Sequence, residues 1–366
     1  MNKLNKYDKN MASSNVESDT MNYYDPLKND VFIIEGLPWV KENANYFRLP
    51  KKYIHNVSEA VEWLSKMPSG GQIRFKTNST KISLRIKNFG DYQMCHMTAC
   101  GQQGADIYYK NNKTYKFFSV TKFEAPSDNF ESVIFYQDEK KYHEFIINLP
   151  LYEGIESILI GIDKDATILK ATPHKNKGKI VVYGTSVTQG GCASRPGMAF
   201  TNILSRKLDI EFVNLGFSGS GMGEPIIGDI LSDIDGVRMF ILDYEANGGC
   251  TSSLQDNMDT IIDKIRVKHP LIPIIVKTKS PQATEIFTKK NLNHRQELYL
   301  FQKELVNKRQ EFGDKNIYFV DGRKDFGNKD IDEMTVDGLH PTDLGFYMMA
   351  KYLYPIIRKI LKNENN

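Results

Sequence analysis

Residues Lys179 to Gly190, KIVVYGTSVTQG, decide how the second half of this chain is built. Ile180, Val181 and Val182 form an apolar β-branched run, and Gly184, Thr185 and Ser186 follow at once. A short run of this kind, closed by glycine and small hydroxyl residues, predicts a buried parallel strand ending in a tight loop. In open α/β sheets, ligands bind just beyond the carboxyl ends of the strands. Ser186 falls at such an edge. A serine there is a nucleophile if a base reaches it and amide donors surround it. Otherwise it caps the next helix.

The pattern continues downstream. Apolar runs at 211–215, 238–243, 273–277 and 317–321 predict four more strands. Amphipathic stretches at 254–268, 291–312 and 342–361 predict helices, with Pro341 just inside the start of the last. Strands alternating with helices imply a parallel sheet with right-handed crossovers.

Upstream the signals differ. Segments 72–77 and 81–87 alternate apolar with polar residues, and 116–120, 132–136 and 144–149 continue in kind. Short strands at this spacing, separated by Gly, Asn and Asp turns, predict an antiparallel sandwich. Residues 57–66 predict a short helix, and 171–178 a linker. The expected division is a polar tail over 1–28, a β-sandwich over 29–172 and an α/β domain over 173–366.

Composition supports two domains. The chain has 366 residues, 40% hydrophobic and 11% aromatic, enough for sizeable cores. A net charge of +3 gives no electrostatic case for nucleic acid or an anionic membrane. The four cysteines form no C-x-x-C pair and no zinc-site spacing with histidine. They read as free thiols of a reducing compartment, with a Cys95–Cys100 disulfide as the alternative. The N-terminus shows no apolar leader and no segment reaches membrane-span length. The expected location is cytoplasmic, or secreted if a leader has been removed.

The chemistry gathers at the predicted strand ends. Of the seven histidines, only His340 lies in a loop expected at the carboxyl edge of the sheet. Asp337 stands three residues before it. That spacing lets the carboxylate hold one ring nitrogen while the other faces Ser186. The oxyanion donors expected are the Ser186 amide, the amide of Gly216 and the side-chain amide of Asn247. Taken singly, Gly216 is also a turn glycine and Asn247 a turn former. Arg195 has two readings, a fork for a substrate carboxylate or phosphate and a structural ion pair. The glycines at 216, 219 and 221 lack the spacing of a dinucleotide loop.

These four blocks resemble the SGNH (GDSL-type) esterase and lipase family. Gly184-Thr185-Ser186 stands in the place of G-D-S, with Thr for Asp. Asn214-Leu215-Gly216, Asp243 to Asn247 and Asp337-Gly338-Leu339-His340-Pro341 follow in family order. The resemblance is closer to bacterial members with an N-terminal β-sandwich and a G-x-D-L-Y motif, here Gly104-Ala105-Asp106-Ile107-Tyr108. It implies a flavodoxin-like three-layer domain with a five-stranded parallel sheet, preceded by a jelly-roll-like all-β sandwich. It implies Ser186 as nucleophile, His340 as base, Asp337 as its partner, and Gly216 and Asn247 in the oxyanion hole. One departure is Glu245-Ala246, where the family resemblance leads one to expect a Leu-Pro-like pair. Glu245 then either borders the substrate or points to solvent.

The resemblance implies a serine esterase removing a short acyl group, acetyl above all, from a carbohydrate or glycoside, with no metal and no cofactor. The expected partner is a small-molecule or glycan ester, with no nucleic acid and no membrane. Two alternatives stay open: an acyltransferase or thioesterase on a specialised acyl substrate, and a catalytically weak protein that binds a glycan or partner.

Overall fold

The computed structural model describes residues 7, 18–90, 94–285, 287–327, 329 and 331–363. The chain divides into two compact units. The first comprises the described residues through Pro50, with Lys66–His174 and Ser194–Gly197; the second comprises Lys51–Ser65, Lys175–Ala193 and Met198 onward.

In the first unit, β1 (Met21–Tyr24), β4 (Lys81–Phe89), β7 (Asn129–Tyr136) and β9 (Gly154–Asp163) form one antiparallel sheet in the order β1-β9-β4-β7. A second sheet runs β10-β3-β8-β5-β6, built from β3 (Gln72–Thr77), β5 (Asp106–Asn111), β6 (Thr114–Val120), β8 (His143–Asn148) and β10 (Ile168–Leu169). A further strand, β2 (Ile33–Glu35), pairs with β3. The two-residue side-chain period explains the core. Ile82, Leu84 and Ile86 from one sheet and Ile73, Phe75, Phe145 and Ile147 from the other belong to a single buried cluster.

Part of the stretch expected as a polar tail is ordered sheet. Residues 1–6 and 8–17 lie outside the described residues, but Met21–Tyr24 pairs with Asp163–Ile160. Buried Met21 on this strand packs its sulfur 3.2 Å from Ser83 Oγ. The expected division of the chain also shifts at two places. Residues 51–65, including a helix at Glu59–Ser65, group with the α/β unit, where the Tyr53 hydroxyl donates to Asp233 Oδ2 at 2.6 Å. Residues 194–197 group with the sandwich, for a reason given below.

The second unit is a three-layer α/β structure. Its parallel sheet has the order β12-β11-β13-β14-β15, from β11 (Lys179–Gly184), β12 (Glu211–Gly216), β13 (Val237–Asp243), β14 (Ile274–Lys277) and β15 (Ile317–Val320). This is the doubly wound flavodoxin-like order, whose ligand-binding crevice opens where the winding reverses, between the first and third strands. Here those are β11 and β13, in register from Ile180↔Met239 to Gly184↔Asp243. The strands read as continuous apolar runs because both faces are covered: Ile180, Val181 and Val182 are fully buried. Helices Phe200–Leu208, Pro225–Ser232, Ser253–Lys268, Lys289–Glu311 and Asp343–Asn363 connect or follow the strands. Among the described residues, no helix is long and apolar enough to cross a membrane.

Candidate active site

Every sequence-predicted site residue except Arg195 falls in the second unit. Ser186 is the first residue of a one-turn helix, Ser186–Gln189, that starts where β11 ends. The turn closes at Gly190, whose φ of 107° suits glycine alone. Ser186 is buried.

Asp337 and His340 sit in a narrow loop. The loop is closed by the Thr335↔Pro341 bridge and by the Val336 amide donating to the His340 carbonyl at 2.8 Å. Gly338 turns the chain at φ 86°. The fold-back places Asp337 Oδ2 2.7 Å from His340 Nδ1. Asp337 Oδ1 accepts from the amides of His340 at 2.7 Å and Leu339 at 3.0 Å. A carboxylate only accepts, so Nδ1 carries the ring proton and Nε2 offers its lone pair. That nitrogen lies 2.9 Å from Ser186 Oγ. Burial pushes the Asp337 carboxyl up. The His340 hydrogen bond and the two loop amides outweigh it and hold the group below its ordinary value. The structure thus joins Ser186, His340 and Asp337 into one hydrogen-bonded chain.

The loop after β12 closes over the loop after β11. Phe217 donates its amide to the Gly184 carbonyl at 3.0 Å. A Cβ on Gly221 would stand 2.3 Å from that same oxygen. The Gly221 amide also donates to Asn247 Oδ1 at 3.3 Å. Asn247 lies in a short helix, Glu245–Gly248, after β13.

Gly216 departs from expectation. Its amide donates to Asn214 Oδ1 at 2.9 Å, within the sheet edge. A Cβ there would stand 2.2 Å from the Gln189 amide nitrogen. Gly216 therefore serves close approach, letting the Ser186 helix lie against β12. Another glycine of the loop stands three residues on. Gly219 is exposed, has φ 67°, and among the described residues its amide donates to no protein acceptor. In the sequence this glycine stands out only by its spacing from Gly216 and Gly221.

Glu245 does neither of the things expected of it. It is buried, and its Oε2 accepts from the Lys279 amide at 3.0 Å and from Gln302 Nε2 at 2.8 Å. It ties the turn after β13 to the turn after β14 and to the helix Lys289–Glu311.

Arg195 belongs to the sandwich unit. Its Nη1 donates to Asp106 Oδ2 at 2.7 Å and to the Tyr108 hydroxyl at 2.6 Å, and the guanidinium lies 3.9 Å over the Phe117 ring. Fully buried Asp106 also accepts from Asn148 Nδ2 at 2.6 Å and from the Gly197 amide at 2.8 Å. Of the two readings, the ion pair is the one realised. Asp106 and Tyr108 of the G-x-D-L-Y-like motif bind residues 195–197, which is why that short segment groups with the sandwich.

A small cavity is lined by Thr185 and Val187 on either side of Ser186, Leu339 beside His340, and Ala246 beside Asn247, with Asp243, Lys279, Ser280 and Gln282 completing it. The space open to the centre of a water-sized sphere is about 10 Å3. That is room for roughly one water or one methyl group.

This fold and hydrogen-bonded chain define a carboxylic ester hydrolase of the SGNH type. The chain belongs to the GDSL-like lipase/acylhydrolase family, whose model matches residues 177–358. Residues 21–168 match the GxDLY model, the N-terminus of SGNH-hydrolase-type esterases. Among solved structures, a protein from Bacteroides ovatus described as a GDSL-like lipase is 33% identical, with a TM-score of 0.85 over 93% of this chain and 98% of that one. The salicylyl-acyltransferase SsfX3 of a tetracycline biosynthetic pathway shares the fold at 15% identity and a TM-score of 0.75, covering 93% of this chain and 98% of its own. A family two carbohydrate esterase from Clostridium thermocellum, solved with cellohexaose, shares it at 16% identity and a TM-score of 0.58, over 80% and 93% of the two chains. No curated protein matches the chain.

Proposed function

We propose that this protein is a serine esterase that removes an acetyl group from an oxygen of a sugar or glycoside. The observation that carries the reading is the continuous chain from Ser186 Oγ through His340 to Asp337. Ser186 Oγ attacks the ester carbonyl while its proton passes to His340 Nε2. The imidazolium that forms faces the Asp337 carboxylate. The Ser186 and Gly219 amides and the Asn247 NH2 group hold the oxyanion. His340 then returns the proton to the leaving alkoxide. Water, deprotonated by the same nitrogen, hydrolyses the acyl-Ser186 ester.

A short acyl group draws support from the small cavity of about 10 Å3 lined by the sequence neighbours of Ser186 and His340. If it receives the acyl group, acetyl fits and longer chains are crowded. The carbohydrate alcohol draws support from the likeness to an esterase solved with a cello-oligosaccharide. Hydrolysis of p-nitrophenyl acetate, butyrate and octanoate tests the acyl assignment. The expected kcat/KM falls at least about tenfold from acetate to butyrate. Equal turnover of octanoate would overturn it. Acetate release from acetylated mono- and oligosaccharides tests the alcohol.

A further inference from the structure

Three ionisable side chains meet beneath the active site, all buried. Lys277, the last residue of β14, places its ammonium 3.1 Å from Asp243 Oδ1 at the end of β13 and 2.7 Å from Asp325 Oδ2, just after β15. Ser280 donates to Asp325 Oδ2 at 2.6 Å. Asp243 also lines the small cavity described above, but no proton transfer in the ester chemistry uses any of the three charges. A buried ion cluster is a poor source of stability, since an apolar trio of similar volume does as well or better. Its position is the informative part: carboxyl-end turns of three successive strands, where this fold keeps its ligand.

Asp243 connects the cluster to the nucleophile. Its Oδ2 accepts from the Thr188 hydroxyl at 3.3 Å. Thr188 is the third residue of the one-turn helix that Ser186 begins. The same residue is held from the opposite side, because Asn214 Nδ2 donates to the Thr188 carbonyl at 2.6 Å. Ser218 donates its amide to Gln189 Oε1 at 2.9 Å. The fit is close: a Cβ on Gly184 would stand 2.0 Å from Thr188 Oγ1. A one-turn helix has too few internal hydrogen bonds to hold itself. Its geometry is set by these side chains.

We infer that Asp243, fixed by Lys277 and Asp325, is a positioning residue that aims Ser186 at His340 through the Thr188 hydroxyl. Lys277 holds the carboxylate from one side, and Thr188 gives it its other hydrogen bond. Asp325, which accepts from Ser280, and the Thr278 carbonyl hold Lys277 in turn; Arg295 acts on Asp325, and Tyr352 feels both Asp325 and Lys277. Burial pushes the Asp243 carboxyl up to about 6, against the pull of Lys277. It likewise raises Asp325. The inference rests on Ser186 being the nucleophile.

Thr188→Val and Thr188→Ser in the full chain separate hydroxyl from shape. The readouts are kcat and KM for p-nitrophenyl acetate, and the rate of Ser186 phosphonylation by a fluorophosphonate. Thr188→Val should lower kcat and the phosphonylation rate together by about tenfold or more, since small misplacements of reacting groups are costly. KM should stay within about twofold, because only the attack geometry changes. Thr188→Ser should restore most of both rates. Asp243→Asn should lower kcat as Thr188→Val does; if that variant does not fold, the Thr188 pair decides alone. Wild-type rates in Thr188→Val, or equal losses in Val and Ser, would overturn the inference. Unaltered labelling in Ser186→Ala would instead overturn the underlying assignment.

Discussion

His340 Nε2 lies 2.9 Å from Ser186 Oγ, although 154 residues separate them in the chain. Two unrelated local devices produce the approach. A one-turn helix sets Ser186 at the end of β11, and a bridged loop closed by Thr335 and Pro341 sets His340. Asp337 is local to the second device and fixes the ring within it.

That division of labour makes Asp337→Asn informative. The amide would present an NH2 donor where the carboxylate accepts, favouring the tautomer with its proton on Nε2. Expected is a fall in kcat of about 10^3 to 10^4 with little change in KM. Steady-state kinetics on p-nitrophenyl acetate measure it. A loss below about tenfold would remove Asp337 from the proton path.

Gly216 at the end of β12 and Gly219 in the loop after it should respond unequally to alanine. Gly216→Ala would drive a Cβ against the Gln189 backbone and displace the Ser186 helix. A stability loss of about 2 kcal/mol and a kcat loss of about a hundredfold are expected. Gly219→Ala meets open space and keeps its amide, so only its φ of 67° is strained. About 1 kcal/mol of stability and a modest kcat loss should follow. Urea unfolding and kcat on both variants check this.

Arg195→Met should act on stability. It leaves buried Asp106 with the Asn148 and Gly197 donors but without its cation. The cost is about 3 kcal/mol. KM for p-nitrophenyl acetate and for acetylated sugars should stay within about twofold. A large rise in KM at unchanged stability would restore the substrate-binding reading.

Glu144 gives the sandwich a definite acid response. Burial pushes its carboxyl up, but the Thr172 and Tyr115 hydrogen bonds and Lys110 outweigh it and lower it to about 2 from 4.5. A lowered carboxyl stabilises the fold above its unfolded value, and that contribution is lost as pH falls towards its folded value. Wild type should therefore lose stability relative to Glu144→Gln as pH falls from 4.5 towards 2. Denaturation midpoints across that range measure the difference, and parallel curves would contradict it.

The strands of the α/β half were legible because both their faces are buried, so each reads as an unbroken apolar run. Ser186 was legible because it follows an apolar strand end, and Asp337 and His340 through their three-residue spacing just ahead of the last helix. What failed was long-range or directional. Met21–Tyr24 is short and follows a polar stretch, and only its pairing with β9 makes it a strand. Glu245 is buried by partners 34 and 57 residues away. Arg195 meets Asp106 across 89 residues. Gly216 is expected as an oxyanion donor but meets the Ser186 helix instead, and a sequence does not say which way an amide points. Asn214, two residues earlier, takes it.

The most direct test of the account is fluorophosphonate labelling of the intact protein, followed by peptide mass analysis, for wild type and Ser186→Ala. The account predicts a single phosphonyl adduct on the peptide containing Ser186, with labelling and p-nitrophenyl acetate hydrolysis both lost in the variant. An adduct on another residue, or labelling and turnover that persist in Ser186→Ala, would contradict it.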